Sequence, residues 1–508
     1  MSIFANPLQE KLWKIARFAV GLLTTVIVLT PLEAQALPAF ARQTGQNCVS
    51  CHAGGQFPEL TPYGRMFKMT GYTIGSRTVP LSVMGVVNSA KVSDTSKSDN
   101  PTGPGGDFEK NGKVLLSSAS LFLAGKVTDN IGLFSQITYD NYANPHTDSS
   151  GTAIGGFSGH SSADNIDLRY ADRFVDTNKD LVVGLSLNNN PSVTDPWNTA
   201  AAWMQYVPAA SVNSHLFTDA NTPFPSNTTG GNVAGISAYA YWNQLVYGEM
   251  GFYRTANGAF SVMSAGIPND STTKLKGFNN PYWRLALTRE WGPHNIMVGA
   301  TGGIARIYDT SDTSDSSTVH RVTNFGVDSQ YQYLLDPHTI TAQVAFMRQK
   351  TNYSPSVILG LAPPTDFVDA TGNQLASGNE SDTTNVFRAK LSYVYQAKYG
   401  GSLAFFNLTG STNTANQTSG FDATGACPGA ICSSASGGSS TRVTGNLSGN
   451  PATRGFTYEA FWTPVQYARV GLQYTAYSKF NGASSNYDGF GRNAKDNNTL
   501  FAYLWMAY

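Results

Sequence analysis

Tyr467-Ala468-Arg469-Val470-Gly471-Leu472-Gln473-Tyr474-Thr475-Ala476-Tyr477-Ser478-Lys479 decides the fold. In an extended chain successive side chains point to opposite faces. Ala468, Val470, Leu472 and Tyr474 then share one face, and Arg469, Gly471, Gln473 and Thr475 the other. The same two-sided pattern runs through 384–397, where Phe387, Ala389, Leu391, Tyr393 and Tyr395 oppose Arg388, Lys390, Ser392 and Gln396. It recurs in 179–188, where Leu181, Val183, Leu185 and Leu187 oppose Gly184, Ser186 and Asn188. An apolar row of this kind faces either a core or lipid. A charged row opposite a lipid face must turn to a lumen, because a charge on the lipid side costs about 2–4 kcal/mol at mid-membrane.

Working outward, sixteen such segments are expected: 80–92, 113–125, 130–141, 164–175, 179–188, 235–242, 245–256, 282–290, 294–308, 319–334, 338–350, 384–397, 401–411, 454–463, 467–479 and 498–508. Segment 113–125 does not alternate cleanly. The connections alternate in length: the odd ones run from 10 to 46 residues and the even ones from 2 to 4. Short turns at one end and long loops at the other mark an outer-membrane barrel, and an even strand count leaves both termini on the short-turn, periplasmic side. The last segment ends the chain inside a strand, with Leu500, Ala502, Leu504, Met506 and Tyr508 at alternate positions. It resembles the C-terminal insertion signal of outer-membrane proteins. The expected fold is all-β: a transmembrane antiparallel β-barrel of about sixteen strands over 80–508.

Composition agrees. Charged residues are 13% of the chain, about half the roughly 25% of ordinary soluble proteins. Lys+Arg and Asp+Glu balance at 33 each, so nothing favours nucleic acid as a partner. No stretch beyond the leader reaches 18 apolar residues, so spanning helices are not expected.

Residues 1–36 read as a signal peptide. Lys11, Lys14 and Arg17 precede an uncharged stretch from Phe18 to Leu32, and Ala34-Gln35-Ala36 forms a cleavage site. The expected location is the outer membrane of a Gram-negative bacterium, with long loops outside.

Between leader and barrel, 37–79 carries Cys48-Val49-Ser50-Cys51-His52. This is the attachment run for c-type haem: the two cysteines form thioethers and His52 becomes the proximal iron ligand. Zinc binding or thiol redox chemistry is the alternative, but no second Cys/His pair has finger spacing. Thr61-Pro62 reads as an N-cap with Pro at the first helical position, and Gly71 as the stop, predicting a helix over Thr61–Thr70. Met66 and Met69 on it are candidates for the distal iron ligand, or for packing. Arg42, Arg65 and Lys68 are candidates for pairing with haem propionates, or for a solvated face. The segment is too short for its own core. It is expected to plug or cap the periplasmic side of the lumen, since sixteen strands enclose an interior wide enough to need filling. Cys427 and Cys432, in a Gly/Ser-rich stretch, are expected to form a small disulfide.

Ala39-Phe40-Ala41-Arg42-Gln43-Thr44-Gly45, the Cys48–His52 run, Phe57-Pro58, Gly64-Arg65, Phe67-Lys68 and Gly71-Tyr72 together resemble the fused monohaem cytochrome–porins of iron-oxidising bacteria. The resemblance covers about residues 38–75 and implies one covalent haem c on Cys48 and Cys51, with His52 on the iron. It implies oxidation of extracellular Fe(II), with the electron handed to a periplasmic c-type cytochrome or other soluble carrier. Two other readings stand beside it: a porin with a haem plug or redox gate, and an electron conduit for a non-iron donor. For the porin, lumen-facing Arg284, Arg388, Lys390 and Arg469 would give weak anion selectivity. Asp309, Asp312 and Asp315 share one outer loop where Fe(II) could collect. Residues 196–217 are expected to fold into the mouth, with a short helix at Ala200–Met204. No catalytic triad, paired-carboxylate site, P-loop or dinucleotide fingerprint is present.

Overall fold

A computed structural model describes residues 38–55, 58–93, 112–147, 153–199, 233–264, 274–308, 319–354, 379–413, 448–487 and 491–508. The leader, Asp309, Asp312, Asp315, residues 200–217, Cys427 and Cys432 lie outside these.

Sixteen strands form one closed antiparallel barrel. They are β1 (Leu81–Val92), β2 (Val114–Lys126), β3 (Ile131–Thr147), β4 (Ala153–Asp176), β5 (Lys179–Asn188), β6 (Val233–Trp242), β7 (Val246–Thr255) and β8 (Asn280–Trp291). The second half comprises β9 (His294–Tyr308), β10 (Val319–Leu335), β11 (His338–Asn352), β12 (Ser381–Tyr395), β13 (Tyr399–Gly410), β14 (Thr453–Val465), β15 (Ala468–Lys479) and β16 (Thr499–Ala507). Each strand pairs with its sequence neighbours, and β16 closes on β1 from Met84↔Ala507 to Val92↔Thr499.

The alternation read in β15 is realised: Leu472 is 50% exposed on the outer face, and Arg469, 4% exposed, points inward. Leu391 and Tyr393 face out from β12 while Arg388 is buried. An apolar outer band with aromatics at its short-turn rim (Trp242, Trp291, Tyr399, Trp462) and a polar lumen make this a membrane-spanning barrel of the outer-membrane type.

Segment 113–125 failed to alternate for a definable reason. Val86 pairs with Ser118 but Val87 with Leu116, so one extra residue sits in β2. Outward residues are Val114 and Leu116 before this bulge and Leu121 and Leu123 after it.

The expected loop 142–163 is a correction. β3 and β4 continue as a hairpin through it, with Asn144↔Ser158 and Thr147↔Ala153 paired. β2 pairs with β3 only as far as Asp140, and β5 with β4 only from Asp167. The extension therefore stands beyond its neighbours. Residues 142–163 carry few large apolar side chains, so there is no apolar alternation to read.

The helical segment comprises α1 (Pro38–Thr44), α2 (Cys48–Cys51) and α3 (Pro62–Met69). Thr61 caps α3 by accepting from Gly64 N at 3.1 Å, with Pro62 in the first turn. Gly71, at φ +72, turns the chain out of the helix as only glycine does freely.

Candidate functional site

The helical segment crosses the short-turn end of the lumen and is tied to the wall on several sides. Ala39 N donates to Ser82 Oγ on β1 at 2.9 Å, and Arg42 bonds the carbonyl of Leu81. Tyr72 OH donates to Asp167 on β4 at 2.7 Å, and Tyr239 OH on β6 to the carbonyl of Met69 at 2.7 Å. Arg65 reaches Asn295 on β9 at 3.0 Å and Gln332 on β10 at 3.1 Å. Glu59 pairs with Lys390 on β12 at 2.6 Å. The β14–β15 turn holds Cys48, whose N donates to Gln466 Oε1 at 3.3 Å. The chain is thus a plug, as its inability to form a core of its own requires.

A second element enters from the opposite end. After β5 the chain turns inward through α4 (Pro191–Thr194), capped by Asn190, whose Oδ1 accepts from Ser192 N at 2.9 Å. Asp195 then pairs with Arg284 on β8 at 3.0 Å, and its carbonyl accepts from Lys68 Nζ at 2.9 Å. Trp197 is fully buried, and Asn198 Nδ2 donates to the carbonyl of Pro58 at 2.8 Å. Arg284 also pairs with Asp328 on β10 at 2.7 Å. This arm clamps the plug against β8–β10. Of the segment expected to fold into the mouth, residues 200–217 and the expected helix at Ala200–Met204 lie outside the described residues; the separate helix turn at Pro191–Thr194 could have been read from Asn190-Pro191.

Within the plug, Cys48 and Cys51 occupy one helical turn, and the His52 N–H closes it on Cys48 O at 2.8 Å. α3 clasps the turn from behind: Thr61 N donates to Cys51 O at 2.9 Å and Thr61 Oγ1 to Ser50 O at 2.5 Å. A side chain at Gly64 would place Cβ 2.1 Å from Cys51 O, so the closeness of this clasp depends on glycine. Gly64→Ala is expected to destabilise the plug by about 1–3 kcal/mol and to expose it to protease. The rate of limited proteolysis within the plug, compared with that of the unsubstituted protein, checks this.

Burial pushes the His52 imidazole down to about 3, so it is neutral over the physiological range, the form that ligates metal. The same burial pushes the Cys48 thiol up to about 12 and Cys51 up to about 11. Redox-active CxxC pairs do the opposite, with a depressed thiol. Among the described residues no cluster of three or more His, Cys, Asp or Glu side chains could hold a metal ion. Two thiols one turn apart, followed by an imidazole, are groups that could hold a covalently attached haem.

Several candidates from sequence lie elsewhere. Arg42, Arg65 and Lys68 are each bonded to protein groups, so the proposed propionate partners are engaged by the wall and the arm. Met69 is buried with Val182, Tyr239 and Tyr247, and Met66 packs on the same cluster. Arg284, Arg388, Lys390 and Arg469 all face the lumen. Three of them meet carboxylates: Arg284 with Asp195 and Asp328, Lys390 with Glu59, Arg469 with Glu459. Those three charges are thus paired with carboxylates.

No protein-family model matches this chain, and no curated protein matches it. Solved structures that superpose on it include the loop-L8 deletion mutant of OmpT, an outer membrane protein of Vibrio cholerae, at 10% identity over 85% of this chain and 99% of that one, TM-score 0.39. The outer membrane channel DcaP of Acinetobacter baumannii superposes at 11% identity over 84% and 96%, TM-score 0.39. Salmonella typhi OmpF in complex with daunomycin does so at 9% identity over 84% and 97%, TM-score 0.42.

Proposed function

We propose that this chain is an outer-membrane cytochrome that accepts electrons from extracellular Fe(II) and delivers them to a soluble periplasmic carrier. The carrying observation is a Cys-x-x-Cys-His turn held inside a plug that crosses the lumen of a membrane barrel. Its short turns and the plug face the periplasm in this reading, and its long connections face outward. A bound haem c supplies the one-electron couple. Cys48 and Cys51 anchor it, His52 ligates its iron, and the α3 clasp with Gln466 fixes the turn against the wall. The plug keeps metal from following the electron inward, which matters because Fe(III) is poorly soluble near neutral pH. Fe(II) as donor rests on the resemblance over residues 38–75.

The expected result is that purified, oxidised protein in detergent shows a c-type haem spectrum and is reduced on stopped-flow mixing with Fe(II). A haem that stays oxidised rejects this donor and leaves the non-iron conduit. A second reading, a channel with a haem plug or redox gate, is favoured by the sixteen-strand barrel itself, a size at which porins leave an aqueous channel. Conductance separates the two.

A further inference from the structure

We propose that the outer face of β9–β11, at its long-loop end, binds the phosphate groups of outer-leaflet lipopolysaccharide through Arg306, Arg321, Arg348 and Lys350. This rests on the long connections facing out of the cell and is independent of the haem reading.

Parity fixes the face. On β9, Ala305 and Ile307 are buried, so Arg306 between them shares the side of exposed Ile296 and Val298. On β10, Val322 and Asn324 are buried, so Arg321 shares the side of exposed Phe325 and Val327. On β11, Gln343 and Met347 are buried, so Arg348 and Lys350 share the side of exposed Val344. Register then gathers the four cations. Arg321 stands directly opposite Arg306, Lys350 opposite Thr323, and Arg348 opposite Phe325. Lys276 extends the patch past β9: its N donates to Arg306 O at 2.7 Å, and buried Leu275 bridges Ile307.

No carboxylate balances this patch. The acidic residues of 274–308 and 319–352 are Glu290, Asp328 and Asp336. Glu290 and Asp336 lie at the short-turn end, and Asp328 pairs with Arg284 in the lumen. Among the described residues, none of the four cations has an ion-pair partner. At the short-turn rim, by contrast, Lys126 meets Asp129 at 2.8 Å and Arg173 meets Asp180 at 2.7 Å. Like charges directly opposite each other destabilise a ladder. The Arg306–Arg321 pair therefore calls for an anion beside it.

Depth selects the anion. Arg348 stands ten residues along β11 from His338 at the short-turn rim, about 34 Å of strand. At a tilt of about 40° that is roughly the 25 Å height of an apolar band. The cations thus sit at the headgroup level, where a charge on the lipid face is tolerated. Trp283 and Phe325, with ring centroids 6.3 Å apart, lie just below Arg306 and Arg321. Aromatic rings beneath a basic cluster match a lipid with acyl chains below and phosphates above. Guanidinium groups hold phosphate through paired N–H bonds, and basic clusters at a membrane surface recruit anionic headgroups.

The test uses the full chain in nonionic detergent, titrated with bisphosphorylated lipid A, dephosphorylated lipid A and inorganic phosphate. Wild type should bind the bisphosphorylated form far more tightly than the other two. Arg306→Gln/Arg321→Gln/Arg348→Gln/Lys350→Gln should lose about a hundredfold or more in affinity, since each headgroup cation contributes several-fold. Lys126→Gln/Arg173→Gln, at the opposite rim, should bind as wild type does. Arg321→Glu gives Arg306 a carboxylate, so its unfolding temperature in lipid-free detergent should rise while its affinity for lipid A falls. A merely structural role for Arg321 would lower both. Equal affinity in the fourfold variant and wild type overturns the proposal, as does equal binding of the two forms of lipid A. Displacement of lipid A by millimolar inorganic phosphate also overturns it, because the patch would then be a site for free anions.

Discussion

Deleting residues 38–79 is expected to convert a barrel that passes little current into a wide, steadily open channel in planar bilayers. The argument is geometric. Sixteen strands enclose an interior that in porins carries water. Here the plug bonds β1, β4, β6, β9, β10, β12 and the β14–β15 turn. An element tied at so many points does not swing aside as a gate, because each buried charged or polar group left behind costs about 1–3 kcal/mol or more. The intact protein should therefore stay at low conductance under oxidising and reducing conditions alike. Large steady currents from the intact chain would favour the porin reading; redox-dependent opening would favour the gate.

The second large effect is expected at Arg284. Its guanidinium is fully buried and holds Asp195 of the arm and Asp328 of β10 at 3.0 and 2.7 Å. Arg284→Met would leave two buried carboxylates without their cation, and breaking a buried pair in this way costs about 3–5 kcal/mol. The arm should detach from the wall and with it the bond from Lys68 to the Asp195 carbonyl. Expected readouts are a marked fall in thermal unfolding temperature and new protease cleavage between 189 and 199. Arg173→Ala is the control. Arg173 pairs with Asp180 at 2.7 Å but is about 38% exposed, so its loss should cost less than about 1 kcal/mol. Equal effects from the two variants would contradict the clamp.

Strands were legible in the sequence wherever lipid and lumen imposed opposite demands on alternate residues. Leu391 against Arg388 and Leu472 against Arg469 show how directly that demand is written. Legibility failed where the demand lapsed. The bulge opposite Val86 and Val87 shifted the phase inside one strand. The β3–β4 extension runs beyond the neighbouring strands, and residues 142–163 carry few large apolar side chains to alternate, so it reads as loop. The helix at Pro62–Met69 was visible because its cap and stop are local. The plug's anchors were not, because partners such as Glu59 and Lys390, or Arg284 and Asp328, are distant in sequence and any carboxylate could have met either cation. Arg65 and Lys68 looked available for the same reason, and the wall and arm engage them.

The most direct test places the protein in sealed vesicles that enclose an oxidised soluble c-type cytochrome, with Fe(II) added outside only. The account predicts that the enclosed cytochrome is reduced while all iron stays outside, and that Cys48→Ala/Cys51→Ala protein gives no reduction. Reduction that proceeds as fast in the doubly substituted protein, or iron found inside with the wild type, would contradict it.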